Sequence, residues 1–173
     1  MKKIIIFLMF VCTYQLFASP VTILPFKASF IQTVKNKHNK MIVYSGNIYT
    51  DRFKNVLWRY KKPTVKNIYL NKKNVIIEEP MLEQAIYTTL DSGVSIKRLL
   101  SKSKKIAKNR YRTTIKGITY YVTVKAKKPI DINYTDKFGN KVKISFSNIQ
   151  SNPRYKAGFF KFKPKKGYDI IRK

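Results

Sequence analysis

Apolar and polar residues alternate with a period of two along most of the chain. Met41 to Thr50 (MIVYSGNIYT), Asn55 to Tyr60, Asn67 to Leu70 and Asn74 to Glu78 are runs of β-branched and aromatic residues separated by charged, Asn or Pro clusters. The pattern resumes at Glu83 to Thr89, Arg110 to Lys116, Ile118 to Lys125, Ile130 to Thr135, Val142 to Ile149 and Phe159 to Phe162. Connections such as Lys61-Lys62-Pro63, Asn71-Lys72-Lys73 and Lys116-Gly117 are short. Consecutive strands joined by short turns predict an antiparallel meander curled into a barrel or half-barrel. Neither a parallel crossover nor an internal repeat is evident.

Two stretches depart from this period. Phe26 to Phe30 reads as a helical turn leading into a strand. Ser92 to Lys108 reads as a helix, because Ile96, Leu99, Leu100, Ser103, Ile106 and Ala107 fall on one face at 3.6-residue spacing. Lys97, Arg98, Lys102, Lys104, Lys105 and Lys108 take the other face, and Ser92 or Ser95 supplies an N-cap. A sheet with such a helix is a layered α+β arrangement. The concave face of a curved sheet is filled by side chains, covered by helices, or left to a ligand. The pattern alone leaves open whether the helix is an ordinary plug or a movable cover.

The N-terminus reads as an address. Met1-Lys2-Lys3 precedes an apolar run from Ile4 to about Phe17, which makes about 21 Å of helix, short of the ~30 Å of a bilayer core. Leu16-Phe17-Ala18 then places a small residue before a cut. The expected organisation is a cleaved secretory signal over 1–18 and a single domain over 19–173, with Cys12 lost along with the signal. The 173 residues carry 37 Lys+Arg against 8 Asp+Glu, a net charge of +29, with 14% aromatic residues. That aromatic content excludes disorder despite the charge. An exported chain meets anionic lipid headgroups more than nucleic acid, and the charge alone does not choose between headgroups and simple solubility.

Chemistry for catalysis is thin. His38 is the single imidazole and sits between Lys37 and Asn39 in a polar stretch. Glu78, Glu79 and Glu83 are expected to neutralise lysines around a turn rather than to act as a glycosidase pair. Ser101-Lys102-Ser103-Lys104 fits S-x-x-K, but the partner motifs S-D-N and K-T-G are missing. Neither a catalytic site, a metal site nor a cofactor is expected.

Several segments together resemble the LolA family of periplasmic outer-membrane lipoprotein carriers. Phe26-Lys27-Ala28-Ser29-Phe30-Ile31-Gln32 is similar to the family's F-x-A-x-F-x-Q opening. Gly46 to Arg52, Trp58, Pro63 and Pro80 to Ala85 resemble its central pattern, and Phe160 to Gly167 its F-x-F-x-P-x-x-G close. The resemblance implies a strongly curved, incomplete antiparallel β-barrel whose concave apolar face is covered by helices acting as a lid. It implies a periplasmic, monomeric carrier that takes acylated lipoproteins from an inner-membrane release complex to an outer-membrane acceptor. It also implies that an arginine at Arg52 latches the lid.

Strand alternation places Gly46, Ile48, Thr50 and Arg52 on one face, and Val56, Trp58 and Tyr60 on another common face. The expected acyl-chain wall is therefore Ile48, Val56, Trp58 and Tyr60, extended by Ile68 and Leu70 or else by Tyr69. Ile96, Leu99 and Leu100 are the expected lid residues, with Arg52 as the latch. Two rival readings remain. One is the same scaffold carrying another lipid or a glycolipid. The other is a cationic protein laying a Lys97–Lys108 amphipathic helix on anionic membrane, a contact that a carrier would make transiently. Nucleic acid is not an expected partner.

Overall fold

The structure, a computed structural model, describes residues 23–71, 74–89 and 96–173. The expected signal and the proposed cap residues Ser92 and Ser95 lie outside them. The elements are β1 (Phe26–Lys35), β2 (Met41–Thr50), β3 (Val56–Lys62), β4 (Lys66–Asn71), β5 (Asn74–Glu79), a single 3-10 turn (Pro80–Leu82), β6 (Gln84–Thr89), α1 (Ile96–Ser101), β7 (Lys104–Ala107), β8 (Arg110–Ile115), β9 (Ile118–Lys125), β10 (Lys128–Thr135), β11 (Lys141–Ser151) and β12 (Asp169–Arg172). They form one 12-stranded sheet in the order β12-β6-β5-β4-β3-β2-β1-β11-β10-β9-β8-β7. A sheet this wide curls rather than staying flat. β12 and β7 are its edges, so the barrel is open.

Cross-strand register decides what each face carries. Residues directly opposite one another project to the same side of a sheet. One row runs Ala28, Ile48, Trp58, Ile68, Ile77, Ile86 and Ile171 across seven neighbouring strands. The next row on that face runs Thr50, Val56, Leu70, Val75 and Thr88. The opposite face carries Tyr49, Leu57, Tyr69, Ile76 and Tyr87.

Each face has its own core. On the concave side Leu99 and Leu100 of α1, 2% and 1% exposed, pack with Phe26, Phe30, Ile48, Val122 and Phe146. Burying two such leucines contributes about 1.5–3 kcal/mol each. On the convex side Leu57 and Tyr69 are covered by Phe160, with Tyr155, Phe159 and Phe162 around them. The chain between β11 and β12 is thus a second layer, tied down by Asn71 Nδ2 donating to the Phe160 carbonyl at 3.1 Å.

Three predicted elements are corrected. Phe26 to Phe30 is strand, not a helical turn. Its alternation puts Phe26, Ala28 and Phe30 into the core, which a single helical turn would not do. Phe159 to Phe162 is not a strand but part of the convex cover, and β12 pairs parallel with β6, an arrangement the pattern did not announce. The helix from Ser92 to Lys108 stops at Ser101. There the N–H and Oγ of Ser103 both donate to the Leu100 carbonyl, at 3.1 and 2.8 Å. Four lysines would crowd a continued helix, whereas Lys104–Ala107 gains a ladder with β8. Ile106 and Ala107 are therefore exposed strand residues and not part of a helical face. The wide helical cover implied by the resemblance is reduced, among the described residues, to this six-residue α1.

The 36–40, 51–55 and 136–140 turns are built alike. In each, the first residue's N–H donates to the carbonyl of the fifth, and its side-chain oxygen accepts from the N–H of the third and fifth. That construction holds the third residue, His38, Phe53 or Phe138, out at the tip, and all three are exposed.

Candidate functional site

All six expected wall residues share the concave face. Ile48, Trp58 and Ile68 are consecutive in one cross-strand row, Val56 and Leu70 are paired in the next, and Tyr60 lies opposite Gly46 one row beyond. The register left open after Pro63 is settled in favour of Ile68 and Leu70, since Tyr69 pairs with Leu57 on the other side. The Trp58 indole packs edge-on against Phe30, with ring centres 5.0 Å apart, and tilts against Phe146 at 6.1 Å. Tyr60 is held at its polar end by donating to Gln32 Oε1 at 2.8 Å. Burial pushes its phenol well above the usual tyrosine range, with Tyr134 and Tyr44 adding to the effect.

A cavity of about 240 Å³ opens on this face at the end of β2. Val56, Trp58 and Leu70 floor it, Phe26 and Leu24 flank it, and Ile96 of α1 closes one side. This volume falls below the roughly 300–1,000 Å³ of small-molecule pockets. Leu99 and Leu100 of α1 are buried in the concave core, and the slot lies beside Ile96. Farther along the same face, Ile68, Ile77 and Ile86 are half-buried.

Arg52 is placed differently from the expectation. β2 ends at Thr50, so strand alternation does not reach Arg52, which sits exposed in the 51–55 turn. Its guanidinium lies 4.9 Å over the Phe53 ring. It still lines the cavity mouth beside Ile96, though among the described residues no hydrogen bond joins it to α1.

Phe30 and Phe146 around Trp58, and Leu24 and Pro25 at the mouth, belong to this site and were not among the expected residues. The alternation Phe26-Ala28-Phe30 carried the signal for the first of them. Nothing in the composition of residues 23–25 marked the mouth.

Among the described residues, Glu78 and Glu79 are met by neutral donors rather than by the lysines expected. Glu78 is buried on the convex side and accepts from Asn67 Nδ2 at 2.8 Å and from the Tyr69 and Tyr168 hydroxyls, each at 3.3 Å. Glu79 accepts from Gln84 Nε2. Burial, reinforced by Glu78, pushes the Tyr69 phenol up to about 12. His38 is exposed at a turn tip, and among the described residues no group of three or more His, Cys, Asp or Glu is placed to hold a metal. Nor is any described helix long and apolar enough to cross a membrane.

Comparison with known proteins bears on what this site serves. Residues 22–128 match the family model of the outer membrane lipoprotein carrier protein LolA. The outer-membrane lipoprotein carrier protein of Wolinella succinogenes is 34% identical over 148 residues, covering 85% of this chain and 86% of its own. That of Campylobacter jejuni is 33% identical over 171 residues, covering 99% of each chain. Among solved structures, an uncharacterized conserved protein from Thermus thermophilus superposes with a TM-score of 0.54 at 12% identity, covering 87% of this chain and 91% of that one. That likeness speaks to the fold alone.

Proposed function

This chain belongs to the LolA family of outer-membrane lipoprotein carriers, and from that premise we propose that it carries lipoproteins across the periplasm with their acyl chains laid along the concave face. The alternative cargo of a free lipid or glycolipid is not favoured, since the relatives are named for lipoproteins. The observation that carries the reading is the unbroken apolar row from Ala28 to Ile171, with a slot already open beside it at Trp58.

The energetics set the mechanism. An acyl chain gains about 0.8 kcal/mol per methylene in a bilayer, so a soluble carrier needs a long apolar surface to compete. Left open in water, such a surface invites association. Here α1 occupies the face when no cargo is bound. The slot is too small for acyl chains, so loading displaces Ile96, Leu99 and Leu100, and unloading lets them return. Ligand and helix compete for one surface, which is a shift between closed-empty and open-loaded populations. Arg52, at the mouth, is the residue that favours closure.

The test uses inner-membrane vesicles that carry acylated lipoproteins and their release machinery. Mixed with the protein and then pelleted, they should leave a soluble lipoprotein complex in which the single Trp58 emits at shorter wavelength than in the empty protein. Lipoprotein that stays with the pellet, or a complex whose Trp58 emission is unchanged, defeats the reading.

A further inference from the structure

The 51–55 turn separates two hollows. On one side is the slot beside Trp58. On the other is an open groove of about 900 Å³ between this turn and the 152–161 segment, and Pro25, Asp51, Arg52 and Asn55 line both. The outer rim is basic, with Lys54, Arg154, Lys156 and Lys161 all exposed. Among the described residues the single carboxylate lining the groove is Asp51. It is occupied by its own turn, accepting from Phe53 N–H and Asn55 N–H at 2.9 Å and from Asn55 Nδ2 at 2.7 Å. At the tip stands Phe53, 66% exposed.

We propose that this rim docks on an anionic bilayer surface, with Phe53 in the interface and Lys54, Arg154, Lys156 and Lys161 among the headgroups, so that the mouth of the acyl slot faces the membrane. An aromatic ring flanked by cations on flexible stems suits the headgroup level, where each finds its own solvent. The expected amphipathic helix does not supply this contact, since its apolar residues are in the core and Lys104–Ala107 is strand. The inference rests on the carrier reading only for its purpose. Acyl chains that leave a bilayer directly beneath the mouth never cross open water.

The same turn recurs at the opposite end of the sheet, where Phe138 is 72% exposed beside Lys137. β2 alone separates the two ends by roughly 30 Å, so Phe138 is an internal control. The purified protein is sedimented with vesicles of phosphatidylethanolamine and phosphatidylglycerol, and with phosphatidylcholine alone. Binding is expected to the anionic vesicles, weakening as salt rises. Phe53→Ser combined with Lys156→Ser should lower it about tenfold, and Phe138→Ser should leave it unchanged. No binding at low salt overturns the proposal, as does an equal loss in Phe138→Ser. So does a double variant that binds vesicles normally but fails to deliver cargo to a protein acceptor. Vesicle binding with no lipoprotein pickup would instead remove the carrier reading and leave this surface standing.

Discussion

At Gly46 there is room for a hydrogen and nothing more. A Cβ there would stand 2.0 Å from the Arg59 carbonyl oxygen and 2.9 Å from the Phe30 ring. The close approach lets Phe30 lie across β2 and meet both Trp58 and Tyr60, at 5.0 and 4.9 Å between ring centres. Aromatic order around the slot thus depends on a missing side chain in the neighbouring strand. Arg52 works differently, because nothing in the fold leans on it. Arg52→Leu should change global stability by no more than about 0.5 kcal/mol, as exposed substitutions do. In the carrier reading it weakens closure, so pickup should proceed while delivery to an outer-membrane acceptor slows. A variant that delivers at the normal rate would dismiss the latch. Parity along MIVYSGNIYT put Ile48 on the concave face, where it lies, but was carried two residues too far for Arg52. A sequence of alternating residues does not show where the last ladder hydrogen bond is made.

Among the elements, strands were legible because their alternation is dictated by which face is buried, and ten residues of β2 fell within the bounds expected. The helix was misjudged at its far end. Ile106 and Ala107 fit a 3.6-residue face as well as Ile96 and Leu99 do, yet β8 offered backbone partners that periodicity cannot register. The convex cover was missed for a related reason: Phe159 to Phe162 has strand composition, and its role is set by the distant Leu57 and Tyr69. Whether α1 is core or cover has a thermodynamic signature. Leu99→Ala removes a buried side chain and should cost the empty protein about 2–5 kcal/mol. If cargo displaces the helix, Leu99 is no longer buried in the loaded protein, and the same substitution should cost far less there. Denaturant unfolding of both forms measures the difference. Equal losses would make α1 a permanent part of the core.

For the whole molecule the question is whether two cores behave as one. β2 and β3 serve both, because Ile48 and Trp58 face the helix while Tyr49 and Leu57 face the C-terminal layer. Losing either layer uncovers strands the other needs. Tyrosines report on each side: Tyr134 near the concave cluster and Tyr69 and Tyr155 on the convex side are all pushed up to about 12, chiefly by burial. A phenol held neutral in the folded state and ionising near 10 when unfolded stabilises fully below pH 10, and that contribution is lost as pH rises to 12. Lysines shed charge over the same range and relieve self-repulsion, which acts with the opposite sign. The tyrosine share is therefore read as a difference: between pH 10 and 12, Tyr134→Phe should lose less stability than the parent. The phenolate absorbance contributed by Tyr69, Tyr134 and Tyr155, read as the difference from their Phe variants, should change together with Trp58 emission in one alkaline transition. If convex tyrosines ionised well before Trp58 responded, the C-terminal layer would be a separate unit, able to leave the sheet without disturbing the concave face. Cooperative behaviour would instead mean that loading one face is felt by the other, through the strands they share.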